Sequence, residues 1–300
     1  MNLVGQALEV APAPPQILRL SGWRRWWQAA VLIGLVGFLY YPVLAKLIHD
    51  WWNDPDFSHG FFVPLFSAFL IWTQREKLAR MTSRPAWSGL AVVAGSLFLF
   101  IAGMFGNDLF FPRVSLILLL GGLVALFWGW GHFRATFFPW AFLFLMIPIP
   151  AVLLNQITFP LQLLASRLAS DVLPLFGVPV LREGNIIHLP AMPLEVAEAC
   201  SGIRSLLSLS TLAVIYGYFL DSKLWRRCLL VVAALPVAVA ANGMRIVGTG
   251  LAVQYWDPAK ALGFFHEFSG WVIFVVSLIL LFAVHGALRL LGPRDVVQPL

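Results

Sequence analysis

The sequence has few charged residues and very few cysteines. Charged side chains make up 11% of the 300 residues, whereas soluble globular proteins have about 25%. Apolar residues reach 60% and the mean hydropathy is +0.84, so the chain cannot cover its apolar stretches with a polar surface. This composition excludes an ordinary soluble enzyme, a disordered chain and a nucleic-acid-binding domain. The two cysteines, Cys200 and Cys228, are too few for a disulfide framework and lack the paired spacing of a zinc site.

The sequence is rich in long apolar segments, which predict that most of the chain is embedded in a lipid bilayer. A transmembrane helix needs about 20 mostly apolar residues. Eight segments qualify, namely 28–48, 59–73, 86–105, 113–131, 135–150, 201–220, 228–249 and 268–290. We therefore expect an all-α polytopic membrane protein with about eight transmembrane helices, in one membrane domain at 28–291. No signal-peptide cleavage pattern precedes the first apolar segment, which is expected to be a retained span.

The distribution of Lys and Arg indicates the orientation of the spans. Most of the 20 basic residues fall on the same side of the predicted membrane as the N-terminal tail, and most acidic residues fall on the opposite side. The formal charge of +6 is therefore interpreted as a topology signal. Both tails, 1–27 and 292–300, are predicted to be cytoplasmic.

Two segments between the fifth and sixth spans do not fit a simple count of crossings. Residues 151–177 are apolar but carry several polar side chains, so we predict a helix lying in the outer membrane interface, with a partly re-entrant or spanning segment as the alternative. Residues 178–199 contain short β-type runs around Gly184-Asn185, which predict a small extracytoplasmic hairpin. The aromatic residues Trp51, Trp52 and Trp256 are typical of side chains at the membrane interface.

The sixth span begins with the densest group of polar residues, E-A-C-S-G-I-R-S at 198–205. Cys200 and Arg204 are four residues apart and share one helix face. A helix N-terminus and a guanidinium both favour the thiolate, which is the nucleophilic form of cysteine. The spacing is equally compatible with Cys200 as a small packing residue, and a packing role is favoured for Cys228.

Two later spans carry polar residues at the same predicted outer level. Asn242 and Arg245 share a face near the end of the seventh span, which indicates a hydrated pocket inside the bundle, although Arg245 could also extend to the lipid headgroups. His266 begins the eighth span, and histidine is the side chain whose unperturbed pKa lies nearest neutrality. Three spans thus bring a nucleophile, a cation and a base to one level. This convergence favours an enzyme.

A further polar motif, D-P-D-F-S-H-G at 54–60, lies before the second predicted span. Within it His59 is an alternative base or a hydrogen-bonding residue of the pocket wall. The remaining histidines have no partner that the sequence indicates; they are His49, His132, His188 and His285.

The sequence resembles the exosortase/archaeosortase family of membrane transpeptidases over about residues 40–290. The matching pieces are the motifs at 54–60 and 198–205 together with P-I-P at 148–150, N-G-M-R at 242–245 and H-E-F-S-G at 266–270. The resemblance implies that Cys200 is the nucleophile, Arg245 the essential cation and His266 the acid and base. The remaining candidate site residues are expected to bind substrate or support the site, with no cofactor and no metal; they are Glu198, Arg204, Asn242, His59 and Ser58.

The resemblance also implies a class of substrates and a location. Substrates of the family are membrane-tethered exported proteins with a C-terminal sorting signal, which consists of a Pro-Glu-Pro-type motif, a hydrophobic span and a basic tail. The enzyme would cleave this signal through a thioester and transfer the protein to an acceptor, with a lipid or a polysaccharide as candidates. The expected location is the bacterial inner membrane, with the active site facing the periplasm.

Other functions remain open from the sequence alone. A transporter would also have many spans, but it would more often show duplicated halves and broken helices. A non-catalytic assembly factor for exported polysaccharide is a second alternative. A zinc enzyme using Cys200, His266 and His59 lacks a local pair of ligands. A serine protease using Ser201 or Ser205 is less favoured, because the neighbouring thiol is the better nucleophile.

Overall fold

The computed structural model describes residues 22–106, 108–196, 203–256 and 264–290. Only the backbone is described for residues 22–26 and 264–267. The chain divides into two units, Met1–Ala45 and Lys46–Leu300. The first unit contains one helix and the beginning of the next, and all candidate site residues belong to the second unit.

Helices dominate the described residues, with one small sheet between them. The α-helices are α1 (Gly22–Leu39), α2 (Tyr41–Asn53), α3 (Phe62–Thr73), α4 (Arg75–Arg80), α5 (Ser88–Phe105), α6 (Phe110–Trp128), α7 (Trp130–Ala135), α8 (Phe137–Phe142), α9 (Ala151–Val172), α10 (Ile203–Leu220), α11 (Leu224–Tyr255) and α12 (Phe264–Leu290). The 3-10 helices are η1 (Pro55–Phe61), η2 (Leu143–Met146) and η3 (Leu173–Phe176). The strands are β1 (Leu181–Glu183), β2 (Ile186–His188) and β3 (Pro193–Glu195).

Among the described residues, five helices are long and apolar enough to cross a membrane: α5, α6, α10, α11 and α12. Two helix pairs, each interrupted by a short break, raise the number to seven if each pair is one span; they are Trp27–Leu39 with Tyr41–Asn53 and Phe137–Met146 with Ala151–Phe176. The predicted all-α polytopic membrane fold is therefore confirmed. The described residues support five to seven spans, compared with about eight expected.

The two shortest predicted spans differ most from the structure. Segment 59–73 contains α3, whose 12 residues are too short for a hydrocarbon core of about 30 Å. Segment 135–150 is broken into α8 and η2, which end at Ile147 with extended backbone (ψ 119°). The cause is Pro148, because a proline disfavours helical backbone at the preceding residue. The second bent pair turns by 81° at this break.

The segment 151–177 forms the predicted helix, α9, followed by η3. Gly177 ends η3 with a positive φ of 79°, a conformation that glycine adopts without strain. Ala165 and Ala169 are buried on the face of α9 that packs against α11. The location of α9 in the membrane interface stays a prediction.

The predicted hairpin is confirmed and has a third strand. In β1–β2, Glu183 pairs with Ile186 around Gly184-Asn185, and Gly184 has a positive φ of 64°, as such two-residue turns require. The third strand, β3, adds to β2 in antiparallel orientation. One core cluster joins this sheet to α9 and to the C-terminal half of α11, with Ile187 and Leu194 from the sheet.

The last three helices form a packed group. A short turn joins α10 to α11, and both helices pack against α12. Their shared core contains Leu209, Leu230 and Leu281 together with the small residues Ala213 and Ala234. Small side chains at such positions let helix backbones approach closely, which stabilises helix association in lipid.

Candidate active site

Arg245 lies in the C-terminal half of α11 and is partly buried. Its guanidinium contacts α12 at Gly270, where an added Cβ would lie 3.4 Å from Nη2 and 3.5 Å from Cζ of Arg245. His266 lies four residues before Gly270 in α12, so the two positions share a helix face, one turn apart. The guanidinium therefore faces a neighbouring helix of the bundle, close to the turn that contains His266. The His266 side chain lies outside the described ones.

Asn242 precedes Arg245 by one turn of α11 and is 3% exposed. A polar side chain at this depth faces other protein groups and not lipid. Together with Arg245 it makes this part of α11 polar on the side that meets the neighbouring helices. In the hydrocarbon region such polar residues are rare and are associated with functional sites.

Cys200 and Glu198 lie outside the described residues. The described chain stops at Val196, just after β3, and continues at Ile203, where α10 begins. Arg204 is the second described residue of α10. Arg204 lies four residues after Cys200, so its contacts indicate which parts of the chain lie near the beginning of α10.

Arg204 pairs with Asp56 of η1. The distance from Arg204 Nε to Asp56 Oδ1 is 3.0 Å, and the side chains are 54% and 19% exposed, respectively. At this exposure solvent screens the attraction, so the pair contributes little to stability. Its main consequence is geometric, because it joins the D-P-D-F-S-H-G motif to the first turn of α10.

The motif forms a compact 3-10 turn whose residues have separate roles. Asp54 caps the turn by accepting a hydrogen bond from the backbone N–H of Asp56 at 2.9 Å. Phe57 is buried in a core cluster. The exposed Ser58 donates its hydroxyl hydrogen to the carbonyl of Pro55 at 2.9 Å, so in this structure the hydroxyl supports the turn.

His59 connects η1 to the end of η2. Its Nε2 lies 3.2 Å from the carbonyl of Leu145, and because a carbonyl only accepts, Nε2 carries the hydrogen. Burial lowers the pKa of His59 below the ordinary histidine value, and the hydrogen bond to Leu145 offsets only part of this effect. His59 is therefore neutral at pH 7, and its hydrogen bond connects the two 3-10 helices.

The neighbouring residue, Gly60, allows η1 to approach α2 closely. A Cβ at Gly60 would overlap the Trp51 indole. The Trp51 side chain is 6% exposed, and its indole N–H donates to the carbonyl of Met146 at 2.9 Å. The prediction of Trp51 as an interface aromatic is wrong, because the indole is buried in the protein core, where it finds its hydrogen-bond acceptor.

A family model described as transmembrane exosortase (Exosortase_EpsH) matches residues 51–283. The chain belongs to the transmembrane exosortase family. The match covers most of the chain and includes the motif at 54–60, the segment with Cys200 and the positions of Arg245 and His266. Comparison with curated proteins and with solved structures found no match. Exosortase membership agrees with the resemblance on which the site residues were predicted.

The second cysteine of this exosortase-family protein provides a contrast to Cys200. Cys228 lies in the first turns of α11 and is exposed on the helix surface. Its predicted packing role inside the protein is therefore wrong. Since Arg245 lies more than four turns farther along the same helix, roughly 25 Å at 1.5 Å per residue, the Cys228 thiol is remote from the candidate site.

Some residues were missed by the sequence analysis. Asp56 was placed in its motif but not as the partner of Arg204, because 148 positions separate the two residues. For His285 no partner was expected, whereas the structure places it in a buried polar cluster with Tyr216 and Asp221. The only available signal was the presence of an ionisable residue within the last apolar segment.

Proposed function

We propose that this exosortase-family protein is a membrane cysteine transpeptidase that cleaves the C-terminal sorting signal of exported proteins and transfers them to an acceptor. The observation that carries the proposal is the contact of the Arg245 guanidinium with α12, one turn from His266. Burying a cation inside an apolar helix bundle costs free energy, so charged residues at such positions are rare and are associated with function. Arg245 is such a cation, and it lies beside the position of a histidine.

The first chemical step is acylation of Cys200. The thiolate attacks the carbonyl carbon of the scissile peptide bond, and the carbonyl oxygen becomes an oxyanion. Arg245 donates hydrogen bonds to this oxyanion; loss of one such donor in other enzymes lowers the rate by about 10²–10³-fold. The C–N bond then breaks, His266 protonates the departing amine, and a thioester remains on Cys200.

The second step releases the protein from the thioester. An amine or hydroxyl of the acceptor, or a water molecule, loses its proton to His266 and attacks the thioester carbonyl. The C–S bond breaks and the Cys200 thiolate is restored. The planar guanidinium presents several donors in a fixed arrangement, so Arg245 can stabilise the oxyanion in both steps.

The supporting residues hold the segment around Cys200. Asp56 and Arg204 connect η1 to the beginning of α10, and His59 connects η1 to the η2 segment. Glu198 and Asn242 are proposed to bind the substrate main chain and to line the pocket. The substrate's own span would lie beside α10, α11 and α12. Its binding there would hold the scissile bond near Cys200, so that the reaction proceeds at the rate of a unimolecular step.

The substrates we propose carry a Pro-Glu-Pro-type motif followed by a hydrophobic span and a basic tail. Cleavage would occur at the outer end of this span. The protein would lie in the bacterial inner membrane, with Arg245 at the periplasmic end of the bundle and both termini in the cytoplasm, as the distribution of Lys and Arg indicates.

The test is mass spectrometry of the new C-terminus of a co-expressed substrate. We expect wild-type protein to release the signal and attach an acceptor, and Cys200→Ala to leave the substrate intact at equal membrane content. Cys228→Ala is the matched control, because it removes the exposed thiol at the other end of α11 and is expected to preserve processing. Processing that survives Cys200→Ala would refute the proposal and favour a transport or assembly role.

A further inference from the structure

A buried polar cluster joins the last three membrane helices at the end remote from Arg245. His285 of α12 lies between two partners, with Nδ1 2.9 Å from the Tyr216 hydroxyl of α10 and Nε2 3.2 Å from Asp221 Oδ2. Arg226 of α11 approaches the same carboxylate, with Nη1 3.6 Å from Oδ2. The side chains of Asp221 and Arg226 are each 2% exposed. Charged groups so deeply buried are retained only when they are paired.

Asp221 is the centre of the cluster and lies in the turn between α10 and α11. Burial alone would raise the pKa of Asp221, but three groups outweigh it and keep the pKa below the ordinary aspartate value: the backbone N–H of Lys223, the His285 ring and the charge of Arg226. The carboxylate is therefore ionised at neutral pH. Because a carboxylate only accepts hydrogen bonds, the His285 Nε2 carries a hydrogen and donates it to Asp221.

The helices joined by this cluster are the same three that carry or follow the proposed catalytic residues. Tyr216 belongs to α10, which follows Cys200. Arg226 belongs to α11, which contains Arg245, and His285 belongs to α12, which contains His266. Each helix therefore contributes to the cluster and also carries, or directly follows, one of the proposed catalytic residues.

The spacing along α11 and α12 connects the two ends. Arg226 and Arg245 are separated by the same number of residues as His266 and His285. The two helices run antiparallel, since Arg226 meets the C-terminal part of α12 through Asp221 while Arg245 meets Gly270 in its N-terminal part. With Arg226 and His285 on the same carboxylate, the equal spacing of roughly 28 Å at 1.5 Å per residue brings Arg245 to the first turns of α12, where its guanidinium meets Gly270, one turn from His266.

We propose that the cluster of Asp221, Arg226, His285 and Tyr216 is a register clamp, which sets the axial alignment of α11 and α12 and thereby positions Arg245 against α12 at Gly270, one turn from His266. The catalytic consequence rests on the proposed function, whereas the alignment itself does not. Between the cluster and Arg245, the core that the two helices share contains Leu230, Leu281 and the small residues Ala234 and Ala238. Apolar surfaces of this kind can slide with little change in energy. A slip of one residue moves a helix by about 1.5 Å and turns its side chains by about 100°.

The clamp is tested first by a distance measurement that needs no activity. Spin labels are attached to cysteines that replace the exposed residues Met244 of α11 and Trp271 of α12, in a protein whose native cysteines are alanine. Pulsed EPR in liposomes then compares the distance distributions with and without Asp221→Asn. We expect the single distribution of the parent to shift by 1.5 Å or more, or to broaden into several positions.

Asp50→Asn is the matched control for the loss of a carboxylate that pairs with a buried arginine. Asp50 of α2 pairs with the buried Arg113 of α6, and neither residue belongs to α10, α11 or α12. If the effect of Asp221→Asn were only a general loss of stability, both variants would alter the distribution alike. We expect Asp50→Asn to leave it unchanged. An unchanged distribution in Asp221→Asn, or equal changes in the two variants, would overturn the clamp.

The enzymatic test separates positioning from substrate binding. Asp221→Asn is expected to lower kcat for signal cleavage by at least tenfold and to change KM by less than twofold, because misplacement of about 1 Å at a reacting centre can cost 10²-fold in rate. His285→Gln, which keeps a donor for Asp221, is expected to retain more kcat than His285→Ala. Equal losses in these two variants, or a change confined to KM, would contradict the clamp.

The two proposals fail in different ways. If cleavage by the wild-type protein did not depend on Cys200, the proposed function would be refuted, but the distance measurement would still test the clamp. Normal cleavage together with an unshifted distance in Asp221→Asn would remove the clamp alone. Should Asp221→Asn not accumulate in the membrane, Tyr216→Phe is the second variant, because it removes only the hydroxyl bonded to His285 and retains the aromatic ring; we expect it to broaden the same distribution.

Discussion

The contact between Arg245 and Gly270 allows the position of the guanidinium to be changed without changing its charge. A Cβ at Gly270 would lie 3.4 Å from Arg245 Nη2, an ordinary van der Waals contact, so Gly270→Ala is expected to fold and to keep most of the activity. Valine extends its methyl groups about 1.5 Å farther, the length of one carbon–carbon bond. The guanidinium would then have to move by about 1 Å or more, and misplacement of this size at a reacting centre can cost about 10²-fold in rate.

We therefore predict that Gly270→Val lowers kcat for signal cleavage by ten- to a hundred-fold while thermal stability changes little. The assay is the initial rate of substrate cleavage in proteoliposomes, normalised to the amount of folded enzyme. Gly286→Val is the matched control, because Gly286 lies in the same helix and no atom of the described residues lies within 4 Å of a Cβ placed there. Wild-type kcat in folded Gly270→Val would refute the proposed role of Arg245, and an equal loss in Gly286→Val would show that the effect is not local.

Three further predictions concern the supporting structure. Gly60→Ala should lower the free energy of unfolding by about 1–3 kcal/mol, because the new methyl group overlaps the Trp51 indole in a packed core; an unchanged melting temperature would show that Trp51 has room to move. For the exposed pair of Asp56 and Arg204, a double-mutant cycle should give a coupling of only about 0.2–1 kcal/mol, and a coupling well above this range would contradict the screening argument. The pKa of Asp221 is lowered on folding, so its stabilising contribution is present above the unfolded pKa of about 3.9 and is lost as the pH falls through the folded value. The stability difference between wild type and Asp221→Asn should therefore be largest near neutral pH and shrink below about pH 4, whereas a difference independent of pH would disprove this assignment.

The sequence predicted several elements correctly because these elements depend on residues that are close together in the chain. The hairpin at residues 178–199 follows from Gly184, whose positive φ permits a two-residue turn. The helix α9 follows from an apolar segment after Pro150, and its 22 residues contain only one internal proline, Pro160. The membrane class follows from composition alone, since few charged residues are available to cover the apolar surface.

The number of spans was less predictable, because hydropathy measures the length of an apolar segment but not the continuity of a helix. Segment 135–150 is apolar throughout, yet its backbone leaves the helical conformation before Pro148. Segment 59–73 begins inside a 3-10 turn, so that only 12 residues are left for α3. Trp51 resembles an interface aromatic for a similar reason, since only packing decides whether an indole faces lipid or the core.

The partners of the polar residues depend on contacts between residues far apart in the sequence. Asp56 and Arg204 are brought together by the packing of η1 on α10, and His285 meets Asp221 only because α12 returns along the turn between α10 and α11. No periodicity in the sequence encodes such pairs. They result from the way helices with apolar faces pack together.

By itself the sequence determined that this chain is a helical membrane protein, because hydropathy identifies its long apolar segments. It also determined which few polar residues are candidates for function, because burying a charge in lipid costs free energy. Its motifs also determined the exosortase family. The tertiary structure alone decided that the Arg245 guanidinium contacts α12 near His266 and that Asp221 holds the opposite ends of the same helices. The physical reason is that side-chain distances across a helix bundle are set by axial register and packing, which are properties of the folded chain as a whole.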